Sequence, residues 1–170
     1  IRYALWEGGE ITLQGGWGVY SRSENRALTE DILYGVGSVS KTYTAAAVLK
    51  LCEEGALTLE TPVAEILPEF CMADERYQSI TVRMLLDHSS GLMGDSTRNA
   101  FLFDDTDPQA ADALLRRLAT QRLKAEPGAY CVYSNDGYTL AELVVEAASG
   151  MEYMDYVRAA LLAPGELADT

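Results

Sequence analysis

The stretch Gly37-Ser38-Val39-Ser40-Lys41-Thr42 sets a serine and a lysine three positions apart at the head of an apolar run. From Ser38 to Glu54 the residues Ala45, Ala46, Val48, Leu49 and Cys52 recur at helical spacing, and Gly55 supplies a C-terminal stop. A helix this apolar belongs in the interior of a domain. Residues i and i+3 of a helix share a face, with Cβ atoms roughly 5–6 Å apart, so Lys41 can reach the Ser38 hydroxyl. A serine hydroxyl is a poor nucleophile until a base takes its proton, and a lysine is that base only when neutral, which a dry setting promotes. The run Ala45-Ala46-Ala47-Val48 is consistent with such a setting. Backbone N–H groups and positive potential at a helix start favour a developing oxyanion. Taken alone, the pair also has a plainer explanation: Ser38 caps the helix and Lys41 is a solvated side chain.

A second short pattern, Tyr133-Ser134-Asn135, falls in a turn between the extended run Tyr130-Cys131-Val132-Tyr133 and a helix from Gly137 to Ala148. That helix carries Leu140, Leu143, Val144 and Ala147 on one face and ends at Gly150. A tyrosine hydroxyl can pass a proton to a leaving group. An asparagine amide can both donate to and accept from a substrate amide. The alternatives are a buried aromatic with a bonded hydroxyl for Tyr133 and a helix cap for Asn135. Ser38, Lys41 and Tyr133 are therefore the candidate catalytic residues, and Asn135 the candidate substrate-binding one.

Working outward, strand signals cluster in the first 36 residues. Arg2-Tyr3-Ala4-Leu5-Trp6 and Trp17-Gly18-Val19-Tyr20 read as strands of a hairpin turned at Gly8-Gly9, and residues 21–30 as loop. Ile32 to Val36 is a short apolar approach to Ser38. Beyond it nearly everything reads as helix or turn: a short helix between Pro62 and Pro68, another from Thr81 to Asp87 with Thr81 as cap, one capped by Asp107 with Pro108 at its first position and running to about Gln121, a turn at Glu126-Pro127-Gly128, and a last helix from Met151 to Leu162 stopped by Pro164-Gly165. A sheet of two or three strands needs further partners to be stable. The expected architecture is α+β: a mostly helical region, 37–170, packed on part of an antiparallel sheet, 1–36, as a single partial domain over 1–170 whose remaining strands lie beyond Thr170.

The 170 residues suffice for one domain with a real core. Acidic residues number 26 against 13 basic ones, a net charge of −13, which repels phosphate backbones and argues against nucleic-acid binding. No apolar run approaches the roughly 20 residues of a membrane span. At Ile1 the sequence already reads as strand, with no signal-peptide pattern. The three cysteines, Cys52, Cys71 and Cys131, lack metal-type spacing and cannot all pair within the chain. Cys52 fits a small buried apolar position. His88 is the only histidine, so a Ser-His-Asp triad would have to use it.

The chain resembles the serine beta-lactamase and penicillin-binding-protein superfamily, in particular its class C beta-lactamase-like group. Five segments carry the likeness, in order. They are Leu33-Tyr34-Gly35-Val36-Gly37-Ser38-Val39-Ser40-Lys41; Glu54-Gly55-Ala56-Leu57-Thr58-Leu59 with Pro62-Val63; Leu67-Pro68-Glu69-Phe70; Ile80 through Asp87-His88-Ser89-Ser90-Gly91-Leu92; and Pro127-Gly128 through Tyr133-Ser134-Asn135-Asp136-Gly137-Tyr138.

The resemblance implies a beta-lactamase/DD-peptidase-like fold and an acyl-enzyme on Ser38. The Ser38 backbone N–H would be half of an oxyanion hole, Lys41 and Tyr133 would share base and acid duty, and Asn135 would hold the substrate's amide side chain. His88 would be structural. Substrates would be beta-lactams, D-Ala-D-Ala-type peptides or simple esters, with no metal or organic cofactor. Such enzymes act outside the cytoplasm, so an exported protein is expected. The family's third motif, Lys-Thr-Gly or His-x-Gly on a C-terminal strand, has no match here, so the chain corresponds to the N-terminal half of the fold and is expected to turn over weakly or not at all by itself. From another class, a non-catalytic assembly protein is the rival: an open sheet edge favours a homodimer, or pairing with the missing C-terminal half.

Overall fold

The computed structural model describes residues 1–29, 32–96 and 110–167, with the side chains of 110–112 left aside. The chain divides into two compact units, Ile1–Val36 and Gly37–Thr170.

The first unit holds two small antiparallel pairs. Strand β1 (Arg2–Glu7) pairs with β2 (Glu10–Gly16), from Arg2 opposite Gly16 to Glu7 opposite Glu10, with an irregularity at Leu5/Trp6. Gly8 and Gly9 turn the chain at φ +61° and +92°, angles that favour glycine and match the right-handed twist of the strands. The hairpin is thus turned where the sequence says, but its second strand is Glu10–Gly16 rather than Trp17–Tyr20. A two-residue loop leaves no slack, so the residues directly after it must pair, and Glu10-Ile11-Thr12-Leu13-Gln14 has the required alternation. Val19 and Tyr20 instead begin β3 (Val19–Ser21), which pairs with β4 (Arg26–Ala27) inside the span expected to be loop.

The second unit is helical, as its periodicities predict. Its first turn, Gly37–Ser40, is 3₁₀ and leads into α1 (Lys41–Glu53). Thr44, Ala47, Val48 and Leu51 form the buried face of α1. Gly55 at φ +75° ends it, with the Gly55 N–H donating to Cys52 and the Ala56 N–H to Leu51, which satisfies two terminal carbonyls. Two short helices follow, α2 (Val63–Ile66) and α3 (Val82–Leu86). Thr81 occupies the cap position of α3, but its side chain makes no capping bond and its buried hydroxyl has no partner. Helix α4 (Ala110–Leu118) covers the middle of the expected helix; Asp107 and Pro108 lie outside the described residues. Helix α5 (Asn135–Ser149) is capped by Ser134, whose Oγ accepts from the Gly137 N–H at 3.0 Å, and is closed by Gly150 at φ +70°. Helix α6 (Tyr153–Val157) runs into a π turn, Arg158–Leu162, where one helix had been expected.

Val48, Leu67, Phe70, Ile80, Leu85 and Leu140 lie among the fully buried side chains of the core, and Phe70 meets Tyr77 edge-on at 5.3 Å. Cys52 is half-buried and Cys71 and Cys131 are exposed; all three are free thiols.

Two devices fix the segment that leads to Tyr133. Asp74 is buried and accepts from the Arg76 guanidinium and from the Leu123 N–H, and Arg76 also pairs with Glu126. The hydrogen bonds from Arg76 hold the Asp74 carboxyl well below the usual carboxylate range. The loop His88–Gly94 then lies alongside: Gly128 donates to Ser89, Val132 to His88 and Lys124 to Gly91. Gly91 has φ +78°, and a Cβ there would sit 2.5 Å from the Ala125 carbonyl oxygen. We therefore expect Gly91→Ala to cost at least about 2 kcal/mol, the left-handed backbone and the backbone overlap adding together. Urea unfolding of the two proteins checks this, and a loss under about 0.5 kcal/mol, the range of an ordinary surface substitution, would contradict it.

Candidate active site

Three pieces of chain meet in the second unit: the 3₁₀ turn with the start of α1, the extended run into α5, and the loop His88–Ser96. Ser38 comes from the first, where Gly37 at φ +54° turns the backbone into the helix. Lys41 opens α1 one turn on, and its Nζ donates to Ser38 Oγ at 3.2 Å, as the spacing predicted. Tyr133 arrives from 95 positions away, its phenol oxygen 2.6 Å from Ser38 Oγ. Asn135, the first residue of α5, accepts from Lys41 Nζ through Oδ1 at 2.9 Å. All four residues singled out in the sequence are thus in one constellation.

The capping alternatives resolve differently for each residue. Ser134, not Asn135, caps α5 with its side chain, which leaves the Asn135 amide pointing at Lys41. Ser38 makes no cap bond; its hydroxyl is shared between Lys41 and Tyr133. Tyr133 is not a buried aromatic but half exposed.

Electrostatics follow from this geometry. The Tyr133 phenol is held below its ordinary value, first by its interaction with Lys41 and then by its hydrogen bond with Ser38, with burial opposing. Lys41 Nζ also stands 4.9 Å from the centre of the Tyr133 ring and 5.4 Å from that of Tyr138. A proton acceptor thereby stands beside both the serine hydroxyl and the ammonium. The dry setting expected from Ala45–Val48 is only partly present. Lys41, Ala45 and Ala46 are half-buried, and Ser38 is exposed.

His88 supports the site from behind. Its Nδ1 accepts from the Ser134 N–H at 3.2 Å, and its ring lies 4.6 Å from that of Tyr133 and 5.2 Å from that of Tyr138. Burial, then the charge of Lys41, push its imidazole below the ordinary histidine value. A neutral ring that accepts at Nδ1 is an anchor for the Ser134 backbone, next to Tyr133.

Sequence reasoning missed the loop contacts that hold Asn135 in place. The Asn135 and Asp136 N–H groups both donate to the Gly94 carbonyl, and the buried Asp136 carboxylate takes the backbone and hydroxyl donors of Ser96 at 2.8 Å each. Asp95 Oδ2 lies 3.5 Å from Asn135 Nδ2. The only sequence signal for these contacts was the position of Asp136 beside Asn135.

Among the described residues no group of three His, Cys, Asp or Glu side chains is placed to hold a metal ion, and no helix is long and apolar enough to cross a membrane.

Comparison with known proteins brings a family model, described as Beta-lactamase, that matches residues 1–170. Penicillin-binding protein 4* of Bacillus subtilis (strain 168) is 33% identical over 169 residues, which cover 96% of this chain and 36% of that protein. Esterase EstB of Burkholderia gladioli is 34% identical over 167 residues, 92% of this chain and 42% of that protein. A solved structure, the D-stereospecific amidohydrolase from Streptomyces sp., superposes with a TM-score of 0.68 at 31% identity, over 79% of this chain and 42% of that one. The chain therefore spans well under half the length of each of these relatives.

Proposed function

This chain belongs to the beta-lactamase family, and on that footing we propose that it carries the nucleophile side of a serine hydrolase that works through an acyl-enzyme on Ser38. One observation carries the proposal: residues 95 positions apart converge on a single hydroxyl, with the phenol oxygen of Tyr133 at 2.6 Å and Lys41 Nζ at 3.2 Å.

In this mechanism Ser38 Oγ attacks the carbonyl carbon of the substrate. The hydroxyl proton passes to the Tyr133 oxygen, whose charge the Lys41 ammonium offsets, and the bond to the leaving amine or alcohol breaks as that proton is handed on. Lys41 and Tyr133 share base and acid duty. Water then repeats the attack on the acyl-enzyme. Asn135 has one amide hydrogen and one lone pair left beyond its contacts with Lys41 and Asp95, enough to hold an amide of the substrate. The N–H groups at the start of α1 supply part of the oxyanion stabilisation.

The substrates we favour are beta-lactams and D-Ala-D-Ala-type peptides, which fits an exported protein, since cell-wall peptides lie outside the cytoplasm. The likeness to a penicillin-binding protein and to a D-stereospecific amidohydrolase supports this choice. A second reading, a simple esterase on the same Ser38 chemistry, is favoured by the likeness to EstB. Initial rates of the protein carrying this chain on a chromogenic cephalosporin, a D-Ala-D-Ala peptide and a p-nitrophenyl ester separate the two. Hydrolysis of the ester alone would select the esterase, and a Ser38→Ala variant that kept any of the rates would overturn both.

A further inference from the structure

Lys41 works from a flexible four-carbon stem, and each of its polar partners changes during the reaction. Ser38 Oγ, 3.2 Å from Nζ, becomes an ester oxygen. Asn135 Oδ1, 2.9 Å away, belongs to the amide that takes the substrate. The Tyr133 phenol gains and loses a proton. A fourth neighbour does none of this. Tyr138 is buried on α5, three residues past Asn135, so the two share a face of the helix. Its hydroxyl donates to the Leu86 carbonyl at 3.0 Å, which pins the ring. That ring lies 5.2 Å from the ring of His88, which in turn lies 4.6 Å from that of Tyr133. Lys41 Nζ stands over the two phenol rings, 4.9 Å from the centre of Tyr133 and 5.4 Å from that of Tyr138.

We propose that Tyr138 is a positioning residue for Lys41: the face of its buried ring holds the ammonium beside Ser38 while the polar partners change. The proposal rests on the acyl-enzyme reading above. An ammonium within about 6 Å of a ring centre is drawn to the negative face of the ring, and more strongly where water is excluded. Such a platform must stay neutral, and this one does. Burial, then the charge of Tyr133, then that of Asp87 push the Tyr138 phenol up, whereas Lys41 and then Ser38 hold the Tyr133 phenol down. Two tyrosines that face one ammonium thus take different parts: Tyr133 exchanges the proton, and Tyr138 keeps its own. Lys41 is half-buried, so without the platform its stem can swing toward solvent once Ser38 is acylated. Formation and hydrolysis of the acyl-enzyme then slow together.

Two readouts on the protein carrying this chain test this. The first needs no activity. The Tyr133 phenol, followed by carbon NMR of ring-labelled tyrosine and assigned with Tyr133→Phe, reports how firmly Lys41 is held beside it. Its midpoint should rise by about half a unit or more in Tyr138→Leu, which removes the ring, and return in Tyr138→Phe, which loses only the bond to Leu86. An unmoved midpoint in the leucine variant, or an equal rise in both, overturns the proposal. The second is the rate of Ser38 acylation by a penicillin with phenylalanine bearing none, one, two or three ring fluorines at position 138. Fluorine drains the negative face of the ring at nearly constant shape, so the rate should fall with each one, by about threefold to thirtyfold in all, the range of a cation–π contact. A flat series marks Tyr138 as mere filling and overturns the proposal as well. If the unaltered protein forms no acyl-enzyme, the Ser38 reading has failed, and the phenol titration still decides whether Tyr138 holds Lys41.

Discussion

Replacing Lys41 with methionine is expected to slow formation of the Ser38 acyl-enzyme by about a thousandfold or more, at the upper end of what a positioned acid–base group contributes. The expectation comes from how much one ammonium does here. It donates to the nucleophile at 3.2 Å, fixes the Asn135 amide at 2.9 Å, and is the first cause that keeps the Tyr133 phenol low. Methionine keeps the length and apolar stem of the side chain but none of these interactions. The phenol then drifts back toward its ordinary value of about 10, so less of the proton acceptor beside Ser38 is ionised as well. Stopped-flow acylation by a reactive penicillin, with circular dichroism to confirm the fold, measures the effect. A loss under about tenfold would show that Lys41 is a bystander and that another group activates the serine.

Tyr133→Phe should lower the same rate by about a hundredfold. The ring remains free to lie against His88 at 4.6 Å, and Tyr133 is 51% exposed, so stability should change by less than about 1 kcal/mol. What is lost is the oxygen 2.6 Å from Ser38 Oγ. The pH dependence has a definite sign. The active form of a general base is the deprotonated one, so acylation should rise with pH as the phenol ionises. Because Lys41 and Ser38 hold that phenol low, the rise should come at a lower pH than an ordinary tyrosine allows. The phenylalanine variant should lack that rising limb. A variant that keeps the limb would assign it to a different group.

The parts of this fold that were legible in the sequence are those governed by local rules. Gly8-Gly9 announced a turn because both residues need positive φ, and Gly55 and Gly150 announced helix ends for the same reason. The apolar periods of α1 and α5 placed their buried faces, and three-residue spacing placed Lys41 on Ser38. What failed depended on alternatives of similar local quality. Trp17–Tyr20 was read as the second strand of the hairpin, whereas the tightness of the loop makes Glu10–Gly16 the partner of β1. Thr81 stands at a cap position without capping; the Val63 N–H donates to the Ile80 carbonyl and the Val82 N–H to the Thr61 carbonyl, and these bonds across the Pro62–Thr81 bridge fix the entry to α3. The open face of the site, the anchoring ring of His88 and the clamp of Ser96 on Asp136 were not legible, since each is a contact across tens of residues with no periodic trace.

The central claim is that Ser38 is the acylated nucleophile, and the most direct test is the intact mass of the protein after incubation with excess benzylpenicillin, beside a Ser38→Ala control. The predicted result is one penicillin adduct per chain on the unaltered protein and none on the variant. An adduct that survives Ser38→Ala, or an unaltered protein that gains no mass, would contradict it.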